Sequence, residues 1–254
     1  MRIDFFEEYP TPETLAPAAR LGAPTRVYLA ARGLEDYRRA AGLLRELAPL
    51  AEPAWWVLLP RSYWVSPLAA GDELTALQAA LTGPAAPGAA LLDLELPLVR
   101  PLRFLAGAPG FARNKERLRA LFAAAGARGL SLATAEYPAL GPGSARLLGA
   151  LGVRYPGEHL RLPMCYRSLL PGPLRRRMWA QVAREAAAAP GRVGVGLGTI
   201  ARGALQREPI LPPAQLAEDL SFFAAAGAAT ATIFRLGGLD DAYLERLRPF
   251  LTTG

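Results

Sequence analysis

Histidine, cysteine and lysine are almost missing from this chain of 254 residues, which has one of each: His159, Cys165 and Lys115. A lone cysteine can form no intramolecular disulfide. A lone histidine rules out metal sites built from several imidazoles and leaves cysteine–histidine catalysis poorly supplied, so no metal site is expected. Lys115 falls in a helical pattern, not on a strand, so Schiff-base aldolase chemistry lacks its nucleophile. His159 has no evident partner and reads as a satisfied loop residue. Charges and prolines interrupt every apolar run before it reaches 18 residues, so no membrane span is expected. The opening MRIDFFEEYP lacks a charged segment followed by an apolar stretch. No signal peptide is visible, and a cytoplasmic location is the expectation, although a removed secretion signal would leave the same picture.

What is present supports a large folded unit. At 52% hydrophobic and 20% charged residues the chain can bury a full core, which excludes intrinsic disorder. The net charge of +7 comes almost wholly from arginine. Such a balance favours anionic partners in general, but the arginines are scattered, so no nucleic-acid partner is expected. No motif sets an oligomeric state.

Short β-rich runs alternate with longer helical patterns throughout. The predicted strands are Arg2–Glu8, Arg26–Ala31, Ala54–Leu59, Ala90–Leu96, Leu130–Tyr137, Arg161–Arg167, Arg192–Thr199 and Thr230–Leu236. GVRYP at 152–156 competes with RLPMCYR for the sixth. Between them lie patterns such as LEDYRRAAGLLREL, where Leu34, Tyr37, Ala41, Leu44 and Leu47 share one helix face. Gly126, Gly129 and Gly227 offer helix stops just before strands. Strict alternation implies parallel strands, and eight units match a closed (β/α)₈ TIM barrel, with an open doubly wound sheet as the alternative. No linker or low-complexity segment divides the chain, so residues 1–254 are expected to form one barrel domain.

A barrel carries its active site at the C-terminal ends of its strands. Strand four, AALLDLELP, alternates Leu92, Leu94 and Leu96 with Asp93, Glu95 and Pro97. The leucines should pack on helices while both carboxylates point into the barrel mouth. Crowded carboxylates drive their pKa values apart, which suits one acid and one anion. The alternative is a buried pair neutralised by an arginine.

The D-x-E of Asp93-Leu94-Glu95 resembles the end of the signature of family 18 glycoside hydrolases, the chitinase-like barrels. Met164-Cys165-Tyr166-Arg167 is similar to that family's sixth-strand Met-x-Tyr-Asp motif. The resemblance implies Glu95 as general acid, Asp93 steadying the substrate's N-acetyl group and Tyr166 hydrogen-bonding it. Family 25 lysozyme-like barrels offer a second likeness, in which Asp4 matches a strand-one aspartate. The chain departs from the family 18 pattern where Gly88 and Leu91 replace earlier aspartates and Arg167 replaces the last one. It also has no Ser-x-Gly-Gly on strand three.

Other strand ends supply further candidates. Only one of Glu7 and Glu8 can face the mouth. Glu136 is a substrate-binding or acid/base candidate, or equally an arginine-paired carboxylate. Trp55 and Trp56 read as core, whereas Trp64, in the following loop near Tyr63, can stack on a sugar. Arg167 and Arg235 are further substrate-binding candidates. Glycines 196, 198, 237 and 238 end strands seven and eight, where many barrels bind phosphate, with Arg202, Arg207 and Arg235 adding charge; tight corners explain the same glycines.

Three readings follow. The first is a glycosidase-like barrel cleaving an amino-sugar glycan without a cofactor, Glu95 protonating the glycosidic oxygen and Asp93 staying anionic. The second is a barrel that binds carbohydrate without cleaving it. The third is a lyase or isomerase holding a phosphate at Gly198 and Gly237–Gly238.

Overall fold

The computed structural model describes residues 1–96, 108–167, 172–203, 206 and 209–251. Pro97 and Arg207 lie outside the described residues. Among the described residues, eight strands alternate with helices: β1 (Arg2–Glu7), β2 (Thr25–Ala31), β3 (Ala51–Val57), β4 (Ala89–Leu94), β5 (Ser131–Glu136), β6 (Leu160–Pro163), β7 (Val195–Gly198) and β8 (Thr230–Phe234). The helices are α1 (Pro12–Leu15), α2 (Leu34–Leu47), α3 (Gly71–Thr82), α4 (Phe111–Ala127), α5 (Pro142–Ala150), α6 (Gly172–Ala188), α7 (Pro213–Ala225) and α8 (Asp241–Leu247). RLPMCYR thus supplies the sixth strand, while GVRYP forms a turn around Gly152, whose φ is 67°. No described helix is long and apolar enough to cross a membrane.

All strand pairs are parallel, in the order β6-β5-β4-β3-β2-β1-β8-β7. The remaining seam is bridged by backbone bonds: Gly194 N–H donates to Arg161 O at 2.9 Å and Cys165 N–H to Gly196 O at 2.7 Å. The chain is therefore a (β/α)₈ barrel. Two helices end as their glycines suggest: Gly129 and Gly227 take φ of 69° and 84°, left-handed values that cost glycine little.

The strand alternation separates two cores. Ile3, Val27, Leu29, Trp55, Leu92 and Leu94 face the helices. Phe6, Tyr28, Ala54, Trp56, Leu91, Ala133, Ala135 and Leu162 fill the barrel. Large aromatics from β1–β3 are matched by alanine on β5 and glycine on β7, which keeps the interior filled. A Cβ at Gly194 would lie 2.7 Å from Thr230 O, so that wall has no room for a side chain.

The N-terminal end of the barrel is closed by charge. Asp4 is fully buried and accepts bonds from Arg26 N–H at 2.8 Å and from Arg2 Nη2 at 2.8 Å. Arg26 also forks onto Glu52 and reaches Ser131 at 3.0 Å. The expectation that Asp4 joins the mouth is corrected here: it lies early in β1, at the opposite end, with its oxygens saturated.

Candidate active site

The mouth is built first from the end of β4. Ala89, Leu91 and Asp93 take the inner face, so the period of two carries Asp93 into the barrel. Asp93 is only 5% exposed, and its Oδ1 has no hydrogen-bond partner. Glu95 follows, partly exposed, its N–H donating to Asp93 O at 3.1 Å. Burial pushes Asp93 well above the usual carboxylate range, and the charges of Glu95 and Glu8 push it further. The Trp56 indole N–H faces Asp93 and opposes the rise, without reaching hydrogen-bond geometry. Burial also lifts Glu95, to about 7. These surroundings favour the neutral acid at Asp93, contrary to the expectation that it stays anionic.

Around the two carboxyls stand three phenols and an aromatic floor. Tyr166, just after β6, is raised by burial and then by Asp93, Glu95 and Glu8, so it stays a neutral donor beside all three. Tyr137, after β5, is raised by burial and by Glu95. Tyr63, in the loop after β3, donates its phenolic hydrogen to Glu8 Oε1. The Phe234 ring closes the floor, its centroid 6.1 Å from Tyr166, 6.3 Å from Trp56 and 6.5 Å from Phe6. Trp64 is partly exposed and meets Tyr63 edge-on at 5.1 Å. Among the described residues no three carboxylate, thiol or imidazole groups stand close enough to hold a metal ion.

The structure brings Asp93, Glu95 and Tyr166 together and leaves four other candidates elsewhere. Glu136 points outward from β5, fully buried, accepting Arg161 Nε at 3.0 Å and Thr134 Oγ1 at 2.8 Å. Arg161 and Arg154 both continue to Glu185 on α6. Glu136 is thus the arginine-paired alternative. Arg167 turns to Glu218 and Asp219 on α7, at 2.8 and 2.9 Å, with its guanidinium over Trp179. Arg235 pairs with Glu7 at 2.8 Å and lies over the Tyr9 ring. Asp4 closes the far end of the barrel.

Two of the glycine amides expected to meet a phosphate are taken by protein partners. Gly237 N–H is donated to Glu7 Oε2 at 2.7 Å and Gly238 N–H to Arg235 O at 3.1 Å, so neither amide is left for an anion. A Cβ on Gly238 would lie 2.1 Å from Ile200 O, which is the tight-corner reason for glycine. Of the Glu7–Glu8 pair it is Glu8 that faces the mouth, bonded by Tyr63, while Tyr63, Tyr137 and Phe234 reach it without having been proposed for the site. The sequence signal for them was weak, since Glu8 and Tyr137 follow a second polar residue whose face is not set locally.

No known protein family and no curated protein matches the chain in sequence. Among solved structures, the GH18 chitinase ChiB of Flavobacterium johnsoniae superposes with a TM-score of 0.57 at 9% identity, covering 99% of this chain and 94% of that one. The catalytic domain of the β-amylase of Paenibacillus polymyxa gives 0.57 at 9% identity, covering 98% and 97%. The HMG-CoA lyase of Brucella melitensis gives 0.53 at 17% identity, covering 100% and 92%. Hydrolase and lyase barrels match about equally well, so the likeness shows the fold alone.

Proposed function

We propose that the chain is a glycoside hydrolase-like barrel acting on an amino-sugar glycan, with Glu95 as general acid. One observation carries this reading: Asp93, on the inner face of β4, and Glu95, just past the strand's end, act on each other electrostatically, and desolvation raises both. Glu95, at about 7, holds a proton on part of the molecules at neutral pH. It would give that proton to the glycosidic oxygen as the bond to the anomeric carbon breaks. Tyr166 would donate to the sugar's amide or hydroxyl oxygen, and Phe234 with Trp64 would offer ring faces to the pyranose. Asp93, once its own proton has passed to an ionised Glu95 or to solvent, would stabilise the developing positive charge as a carboxylate.

The test is Glu95→Gln, assayed on chitin- and peptidoglycan-derived oligosaccharides by release of reducing ends, with binding measured in parallel. Turnover should fall by about 10²–10⁴-fold, as for a lost general acid, while binding persists. A second reading, carbohydrate binding without cleavage, is favoured by one observation: Arg167, the last residue of the sixth-strand motif, is turned away to α7. Sugar binding with no turnover for Glu95→Gln to diminish establishes that second reading. A chain that neither binds nor cleaves these sugars ends both.

A further inference from the structure

Asp93 is short of a donor. Its side chain is 95% out of solvent, Oδ1 accepts no hydrogen bond, and Glu95 and Glu8 both press negative charge on it. Arg167 and Arg235 do not relieve this, since they are spent on Asp219 and Glu7. No described trio of ligands suits a metal ion. The floor under Asp93 is aromatic, with Phe234, Trp56 and Tyr166 ring to ring, a surface that attracts organic cations as well as sugar faces.

We infer that the mouth selects a sugar ring carrying a free primary ammonium, a de-N-acetylated amino sugar, and that Asp93 is the carboxyl that meets it. This rests on the carbohydrate reading above and narrows its substrate. A neutral amide N–H would satisfy Oδ1 but would not hold a negative charge on Asp93; an ammonium does both. The same contact serves the acid. A cation beside Asp93 favours its ionised form, and an ionised Asp93 beside Glu95 favours the proton on Glu95. Binding would therefore transfer the resting proton from Asp93 to Glu95, the group placed to use it.

Calorimetric titration of the Glu95→Gln protein, which binds without cleaving, separates the outcomes. The probes are a glucosamine tetramer with its amines protonated, an N-acetylglucosamine tetramer and spermidine. The glucosamine tetramer should bind at least about tenfold tighter than the acetylated one, the factor expected of roughly 1.4 kcal/mol. Adding Asp93→Asn should abolish that preference, read as the ratio of the two tetramers' affinities in the same double variant. Raising salt from about 0.05 M to about 0.5 M should shrink the preference in the parent protein, a readout that needs no second variant to fold. Equal or tighter binding of the acetylated tetramer, a preference indifferent to salt, or spermidine binding as tightly as the glucosamine tetramer overturns this inference and leaves the carbohydrate reading standing. Failure of both tetramers to bind removes the carbohydrate reading itself.

Discussion

Tyr63 reaches Glu8 across the barrel mouth, and its phenol donates to the carboxylate from a residue whose φ is 70°. A bulky residue rarely holds that left-handed conformation, which costs on the order of 1 kcal/mol. The loop repays it locally. Leu59 and Tyr63 exchange backbone bonds of 2.9 Å, and the buried Glu73 of α3 accepts Arg61 N–H and Ser62 Oγ, both at 2.6 Å. The outcome is a rigid support that aims one hydroxyl.

Tyr63→Phe keeps this support and removes only the hydroxyl. Unfolding in urea should show a loss of about 1–3 kcal/mol, the scale of a hydrogen bond to a buried carboxylate. Oligosaccharide turnover or binding should weaken by more than the small amount a loop change on the outer surface would give. A Tyr63→Phe protein with wild-type binding would show that Glu8 needs no orientation.

The raised carboxyls set a pH dependence whose sign is determined. Asp93 and Glu95 hold protons more tightly folded than unfolded, where carboxyls titrate near 4. The folded chain therefore binds more protons between about pH 4 and the folded value of about 7 for Glu95, and stability falls as pH rises through that window. Burial raises Asp4, Glu7 and Asp219 too, so the comparison must be between variant and wild type. Glu95→Gln should match the wild type near pH 4 and exceed it above about pH 8 by on the order of 1–2 kcal/mol. Thermal unfolding across that range checks this. Turnover, which needs the acid form, should decline above about 7.

Outside the barrel, Arg161 neutralises the fully buried Glu136. Arg161→Met should cost about 3–5 kcal/mol, because it leaves a buried carboxylate without its cation. Adding Glu136→Met should recover much of that loss. Sugar binding per folded molecule should be unchanged in both, since neither side chain reaches the mouth. Urea titrations with binding assays on the folded fraction decide the matter.

Two glycines should respond differently to alanine. At Gly238 a Cβ would lie 2.1 Å from the Ile200 carbonyl oxygen, which is backbone and cannot yield. Gly238→Ala should destabilise by about 1–3 kcal/mol or more. At Gly203 it would lie 2.4 Å from Phe234 Cζ and 2.7 Å from Glu8 Oε2, side chains packed in the mouth and not backbone. Gly203→Ala should destabilise as well, by about 1–3 kcal/mol. Unlike Gly238→Ala, it should also bind sugar about tenfold more weakly per folded molecule, the scale of one extra methyl-sized group in a filled pocket.

Eight strands and the inward turn of Asp93 were legible in the sequence because both follow from local periodicity. A strand's side chains alternate whatever surrounds it, so leucine at 92 and 94 commits Asp93 to the other face. The same logic failed where the local pattern is ambiguous. Phe5-Phe6 and Glu7-Glu8 are doublets, so the face of Glu8 emerges only when β1 lies between β2 and β8. On β5 the inner face is alanine and the outer one carries Thr134 and Glu136, inverting the usual rule that the polar stripe points to the mouth. That inversion is tolerated because Arg161 from β6 meets Glu136, a partner 25 residues away.

The amino-acid pattern by itself determined eight alternating strand–helix units and the two carboxyl residues at the end of the fourth strand, all properties of period and spacing. Closure into a barrel rests on the backbone bonds that join β6 to β7. Tertiary structure alone decided which charges are free for chemistry. Arg167, Arg235, Glu136 and the Gly237 amide are each consumed by a partner from another unit. Pairing energy in a barrel wall depends on burial and distance, and neither is written in the order of residues along the chain.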